Sequence, residues 1–238
     1  MRILANTMKV RLLLFFLLAF ATLQAQQKDA RFVSFEVEAS QVSFYWKDDR
    51  GQILKSILNL KTFVESQNRQ LRFAMNGGMY TRENAPQGLF IENGTQHTKL
   101  DTASGSGNFY LKPNGVFYIT ADNRAGICKT EDFKGVSGVR VATQSGPMLL
   151  INGENHPAFK KGSVNLNIRN GVGILPDSRV VFLMSKAEIN FYDFAEAFKA
   201  LGCRNALYLD GFVSRTYLPE ENWTQLDGNF GVIIGVLK

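Results

Sequence analysis

Leu207-Tyr208-Leu209-Asp210-Gly211-Phe212-Val213-Ser214 is the stretch on which the reading of this chain turns. An apolar, strand-forming run ends in a carboxylate, then a glycine, then a serine four residues after the Asp. Such a run buries its middle, and its polar end has to emerge at a rim, because a buried carboxylate without a partner is costly. Leu71-Arg72-Phe73-Ala74-Met75-Asn76-Gly77-Gly78-Met79-Tyr80 has the same grammar: apolar run, Asx, glycine, and a hydroxyl residue four after the Asx. A helical stretch precedes each run, over residues 60–70 and 191–201. The paired helix–strand–Asx-Gly units suggest a pseudo-two-fold organisation, with Asn76 and Asp210 as the two lips of one site.

Outward from these runs, the dominant period is two. Val33, Phe35 and Val37 share one face with Ser34 and Glu36 on the other. Residues 42–47 alternate in the same way, and Asp48-Asp49-Arg50-Gly51 turns them into a strand over 52–57. Leu60, Phe63 and Val64 mark a helix within 58–70. Hairpins follow at short intervals. Asn93-Gly94, a strong hairpin signal, joins strands over 89–92 and 95–100. Lys112-Pro113-Asn114-Gly115 joins 108–111 to 116–120. Gln144-Ser145-Gly146-Pro147 joins 139–143 to 148–151, and Pro176-Asp177-Ser178 joins 171–175 to 179–184. A closing strand runs over 230–237. About a dozen strands and two main helices make the class α+β, a single domain with a many-stranded, mostly antiparallel or mixed sheet.

The N-terminus reads as an export leader. Arg2, Lys9 and Arg11 precede an unbroken apolar run over 12–21, and Ala25 offers a small residue for cleavage. The run is too short to span a bilayer. Residues 1–25 are therefore assigned to a signal peptide, residues 26–238 to one domain, and the protein to the periplasm or the exterior. The leader carries three of the 27 basic residues and none of the 21 acidic ones, so the basic balance is partly an export signal. Nucleic-acid binding loses its main support with it, and no segment after the leader is long and apolar enough to span a membrane. Cys128 and Cys203 fit one disulfide or two buried thiols. Two cysteines and two dispersed histidines, His97 and His156, do not make a zinc site of the usual spacing. No ligand cluster demands a metal, and nothing in the chain asks for a cofactor.

Several segments carry polar groups where chemistry can use them, each beside an ordinary structural reading. Asn76-Gly77-Gly78-Met79-Tyr80 lets a ligand approach the main chain at Gly77 and Gly78, and the Asn76 amide can accept and donate at once; a strand-to-loop turn is the alternative. In Thr143-Gln144-Ser145-Gly146-Pro147, Gln144, Ser145 and the Gly146 backbone are candidate substrate contacts or a structural turn. Ser145 is not in a nucleophile elbow, so a serine nucleophile is disfavoured. Arg169, among polar and glycine residues, presents a planar fork suited to phosphate or carboxylate, or forms a structural ion pair. Asp210 is the best candidate for a catalytic carboxylate; a turn cap is its alternative.

Taken in order, Asn76-Gly77-Gly78-Met79-Tyr80, Gln144-Ser145-Gly146-Pro147, Arg169 with its following glycines, and Leu209-Asp210-Gly211 with Ser214 resemble the phosphodiester glycosidase family, and its exported bacterial members more than the animal uncovering enzyme. The resemblance spans roughly residues 73–237. Phe212 departs from it, standing where the uncovering-enzyme branch has a second glycine. What the resemblance implies is hydrolysis between a sugar anomeric carbon and a phosphodiester oxygen, releasing sugar and a phosphate monoester. In that frame Arg169 holds the phosphate, and Asp210 stabilises an oxocarbenium-like transition state or activates water. Asn76, Tyr80, Gln144, Ser145 and Ser214 fix the sugar. A carbohydrate or sugar phosphate is the expected partner. The alternative is a non-catalytic module on the same scaffold that binds envelope polysaccharide.

Overall fold

In the computed structural model, which describes residues 29–210 and 213–238, the alternating segments pair into three sheets. The expected leader and the Gly211-Phe212 pair lie outside the described residues. The first sheet runs β1 (Phe32–Val37), β12 (Val180–Ser185), β11 (Asn170–Ile174), β13 (Ala206–Asp210), β9 (Met148–Ile151) and β10 (Glu154–Asn155). The second runs β15 (Trp223–Thr224), β14 (Thr216–Leu218), β3 (Leu71–Asn76), β16 (Ile233–Leu237) and β2 (Val42–Tyr45). The third runs β5 (Thr95–Thr98), β4 (Phe90–Glu92), β8 (Val139–Ser145), β6 (Gly115–Thr120) and β7 (Ala125–Lys129). Neighbouring strands are antiparallel throughout.

Period two explains how three sheets share one core. Each sends alternate side chains inward to a common cluster: Phe35 and Phe182 from the first, Phe44 and Phe73 from the second, Phe90 and Phe117 from the third. Phe35 stacks on Phe73 with centroids 4.3 Å apart, and Phe117 meets Phe182 edge-on at 6.1 Å. The intervening residues face outward and are covered separately. Helix α1 (Ile57–Ser66) lays Leu60 and Val64 on Ala74 and Ile233 of the second sheet. Helix α2 (Phe191–Ala200) lays Phe194 and Phe198 on Leu149, Val181, Ala206 and Tyr208 of the first. On the third sheet, a 3-10 segment (Thr130–Gly135) packs Phe133 against Val116 and Ala142.

Both helices begin where the side chain of the preceding residue can accept from an otherwise orphaned N–H. Ser56 Oγ accepts from Asn59 N at 3.1 Å, and Asn190 Oδ1 from Asp193 N at 2.9 Å. The two expected helix–strand units are therefore α1–β3 and α2–β13, one on each of two sheets. Because β3 and β13 are covered on both faces, only their ends are left for polar residues. Those ends are Asn76 and Asp210.

Three expected segments fold differently. Residues 108–111 are not a strand: Gly107, at φ 86°, breaks the chain into a 3-10 turn over Asn108–Tyr110, and Asn114 Nδ2 anchors it by donating to Phe109 O at 2.9 Å. The true hairpin partner of β6 is β7, reached through a turn with Asn123 at φ 62°. Strands β8 and β9 are not a hairpin either. The Gly146-Pro147 corner passes the chain from the third sheet to the first, where Tyr208 N donates to Pro147 O at 3.1 Å. Over 52–57 only Ile53 pairs, with Lys47. The Asn93-Gly94 hairpin forms as read, with φ 49° and 77°. Of the two readings of the cysteines, the structure has free thiols. Cys128 packs beside Tyr118 and Val116, and Cys203 lies against Phe198 in another cluster. Burial pushes their thiols up to about 11 and about 12.

Candidate active site

The ends of β3 and β13 meet through a residue that the sequence reading left out of the site, Asn170, the first residue of β11. Its side-chain amide donates to the Asn76 carbonyl at 3.0 Å and to Asn76 Oδ1 at 2.9 Å. Its side-chain oxygen accepts from Asp210 N at 2.8 Å. One buried amide thus ties the second sheet to the first and fixes both lips. Asn76 Oδ1 also accepts from Arg215 N at 2.8 Å. Two donors on that oxygen settle which way the Asn76 amide points. Its Nδ2 is then a buried donor with no protein partner among the described residues.

A β-bulge aims the carboxylate. Asn170 pairs with Asp210 but Gly171 pairs with Tyr208, so Leu209 has no opposite number on β11. Bulges of this kind re-aim the adjacent side chain and release a ladder carbonyl. Ser145 takes that carbonyl, donating its hydroxyl to Leu209 O at 2.8 Å. Ser214 closes the other side, with its hydroxyl within reach of Asp210 O at 2.9 Å and Ile168 O at 3.2 Å. The carboxylate of Asp210 is felt by two tyrosines. The Tyr80 hydroxyl is pushed up to about 12, first by burial and then by the Asp210 charge. Tyr208 is held well above its usual range by burial, reinforced by Asp210 and opposed by Arg169.

The remaining expected site residues are in the same neighbourhood, with different partners from those anticipated. Gln144 is fully engaged: its side-chain oxygen accepts from Leu89 N at 3.0 Å and Asp101 N at 2.9 Å. Its amide donates to Asp101 O at 2.6 Å and Thr130 Oγ1 at 3.1 Å. Gln144 therefore braces the third sheet, Ser145 and Ser214 brace the backbone at Leu209, Asp210 and Ile168, and none of these side chains is an open donor for a sugar. Gly77 N donates to Val232 O at 2.8 Å. Gly78 runs so close to β8 that a Cβ there would lie 2.3 Å from Thr143 Oγ1 and 2.6 Å from the Gln144 carbonyl. Gly146 would likewise meet Asn114 Cβ at 2.6 Å. These glycines are demanded by packing.

Arg169 departs most from expectation. It is fully buried, with its guanidinium carbon 3.6 Å from the centre of the Phe191 ring. Four of its five N–H groups are taken: Nε by Ile189 O at 2.8 Å, one on Nη1 by Tyr208 Oη at 3.2 Å, and those of Nη2 by the Asn165 carbonyl and side-chain oxygens at 3.0 and 2.9 Å. A two-pronged grip on phosphate needs a free fork, and this one is occupied. Burial lowers its pKa and the contact with Tyr208 opposes the change. A cation with more room is Arg215, next to Ser214. It is about one-third exposed, its Nε donates to both Asp227 oxygens at 2.8 and 2.9 Å, and its Nη2 has no partner among the described residues. The only sequence signal for Arg215 was its place one residue after the motif serine. His97 has Glu92, Trp46 and Phe90 as neighbours, none of them a member of this cluster.

A constellation of this order and a three-sheet fold can be compared with known proteins. The sequence profile described as phosphodiester glycosidase matches residues 69–232. YigE of Escherichia coli K12, an uncharacterized protein, is 42% identical over 182 residues, covering 76% of this chain and 71% of its own. Among solved structures, the catalytic domain of zebrafish N-acetylglucosamine-1-phosphodiester alpha-N-acetylglucosaminidase, auto-inhibited by its pro-peptide, superposes with a TM-score of 0.60 at 13% identity. That match covers 89% of this chain and 85% of the other. A protein of Burkholderia pseudomallei K96243 named as exported gives 0.55 at 10% identity, covering 87% and 74%. At such identities the structural likeness speaks for the fold. With the profile matching most of its length and a close relative alongside, the chain belongs to the phosphodiester glycosidase family.

Proposed function

We propose that the protein is an exported hydrolase that cleaves the glycosidic bond of a sugar-1-phosphodiester, releasing free sugar and a phosphate monoester. The observation that carries this reading is the Asn76–Asn170–Asp210 linkage. It fixes a carboxylate, and an amide donor with no protein partner among the described residues, at the meeting point of two sheets.

Each role follows from what the side chain has left to give. Asp210 supplies negative charge to an oxocarbenium-like transition state, or takes a proton from the attacking water. Tyr80 stays protonated at every relevant pH and offers a neutral donor beside that carboxylate. Asn76 Nδ2 offers a second. Arg215 holds the phosphate through the Nη2 N–H groups that Asp227 and the Ser214 carbonyl leave free, and Asp227 orients its fork. Arg169 acts from behind, as a buried positive charge that fixes Tyr208 and the strand carrying Asp210. A phosphate monoester is already a good leaving group, so strong acid assistance is not required. Ser145 and Ser214 keep the site's backbone in register, and Gln144 braces the third sheet.

Hydrolysis of a sugar-1-phosphodiester in oxygen-18 water tests the bond cleaved. Label in the released sugar is expected; label in the phosphate would sink the glycosidase mechanism. Ligand binding without turnover, unchanged in Asp210→Asn, would instead favour a polysaccharide-binding module.

A further inference from the structure

The segment 160–168, which leads into Arg169, carries two sets of side chains with different chemistry. The side chains of Asn165 and Asn167 are engaged in hydrogen bonds, though Asn165 is itself exposed. Asn165 grips the Arg169 guanidinium, Asn167 Nδ2 donates to Asn165 Oδ1 at 3.2 Å, and the Asn167 backbone pairs in both directions with Ile189. Interleaved with these two residues are Val164, Leu166 and Ile168. They are 92%, 45% and 37% exposed, three of the four large aliphatic side chains exposed among the described residues.

Holding Arg169 does not explain them, because polar residues at those positions would serve equally well. Exposed aliphatics that cluster, rather than scatter, mark a contact surface. Their surroundings indicate what kind. Lys160 and Lys161 are exposed just ahead of them, and no Asp or Glu occurs between Glu154 and Asp177. A core protein–protein contact favours aromatic residues and disfavours lysine. Aliphatic side chains beside Lys160 and Lys161, with Lys186 and Glu188 exposed on the strand end that bridges Asn167, form an apolar patch of net positive charge that matches a bilayer rich in anionic lipid. The apolar groups enter the acyl boundary and the ammonium groups meet lipid phosphates. Among the described residues no helix is long and apolar enough to cross a membrane, so contact of this kind would be peripheral.

We propose that segment 160–168 seats the protein on an anionic lipid surface. The seat adjoins the candidate site directly, since Ile168 O and Asp210 O share the Ser214 hydroxyl. Docking would therefore present the site to substrates carried at a membrane surface. The inference goes beyond the hydrolytic reading and does not depend on it.

Sedimentation with vesicles of phosphatidylcholine, alone or mixed with phosphatidylglycerol, tests it on the full chain. The wild type is expected to partition about thirtyfold more strongly onto the anionic vesicles than Lys160→Ala/Lys161→Ala, as two surface lysines would give, and less so in high salt. Val164→Asp/Leu166→Asp should lose about tenfold of that partition. The N-terminal segment, with Arg2, Lys9 and Arg11, is common to all the proteins and adds its own anionic preference, so each variant is compared with the wild type on the same vesicles. Circular dichroism melts check that the variants fold, and residues this exposed leave the core untouched. Equal partition of the aspartate double variant and the wild type would overturn the proposal. So would a wild type that ignores vesicles while the same variant slows hydrolysis of a long-alkyl sugar phosphodiester, which would make the patch an aglycone site. Partition needs no turnover, so either failure leaves the hydrolase reading to its own test.

Discussion

Asn170 donates its side-chain amide to Asn76 twice, to the carbonyl at 3.0 Å and to the side-chain oxygen at 2.9 Å, and so locks the end of one sheet to the start of a strand in another. Its oxygen holds Asp210 N in the same grip. Replacing Asn170 with Ala leaves buried groups on both lips without partners, at about 1–3 kcal/mol each before relaxation. Asn170→Ala is expected to lower stability by about 2–4 kcal/mol in urea unfolding, and to lower kcat even at temperatures where the variant is folded. A variant with wild-type kcat would show that the lips need no tie.

Asp210 is 8% exposed at the end of a strand whose other residues are apolar. Asp210→Asn keeps the shape and removes the charge. Turnover per folded molecule should fall by about 10²–10⁴-fold, the range for loss of a positioned acid–base group. A large loss of stability with activity per folded molecule intact would make Asp210 structural.

How much of this could be read from the sequence differs between elements for physical reasons. Strands with strict alternation, such as β1 and the β4–β5 hairpin, were legible because period two and Asn93-Gly94 are local signals. The β8–β9 corner was not, since nothing local says that a strand changes sheets at Pro147. Asp210 and Asn76 stood out because a polar residue closing an apolar run is anomalous on its own. Asn170, next to Arg169, carries no such anomaly, because its function is defined by two partners far away in sequence. Arg169 was legible as unusual, but burial, which reverses its role, leaves no trace in residue type. Phe212 remains the departure from the family pattern that sequence alone reveals.

Arg215 and Arg169 are predicted to separate kinetically. Arg215→Gln removes a fork about one-third exposed, the one proposed to hold the phosphate, and should raise KM about tenfold while the melting temperature moves little. Arg169→Gln empties a fully buried site with four hydrogen bonds and should destabilise by about 3–5 kcal/mol. If Arg169→Gln folds normally and only KM rises, the phosphate role returns to Arg169.

Gln144 joins β8 to the backbone at Leu89 and Asp101 with every polar atom engaged. Gln144→Leu keeps the volume but strands the Leu89 and Asp101 N–H groups. A loss of about 2–4 kcal/mol is expected. Hydrogen exchange should quicken first at those two amides, and protection unchanged there would contradict the bracing role.

Glu92 offers a pH test away from the site. Burial pushes its carboxyl up to about 7, and His97, at 3.6 Å, is at the edge of ion-pair range and does not reverse this. The sign follows from linkage. A carboxyl whose folded pKa exceeds its unfolded value binds its proton more tightly when folded, so stability is fullest below about 4.5 and declines as pH rises to about 7. The loss is about 1–2 kcal/mol after allowance for the screening of a partly exposed group. Glu92→Gln removes the titration, so its stability profile should be flatter than that of the wild type between pH 4.5 and 7, with the variant the more stable of the two at pH 8. Parallel profiles for the two proteins, from urea unfolding at each pH, would mean that Glu92 ionises in the folded protein as freely as in the unfolded chain.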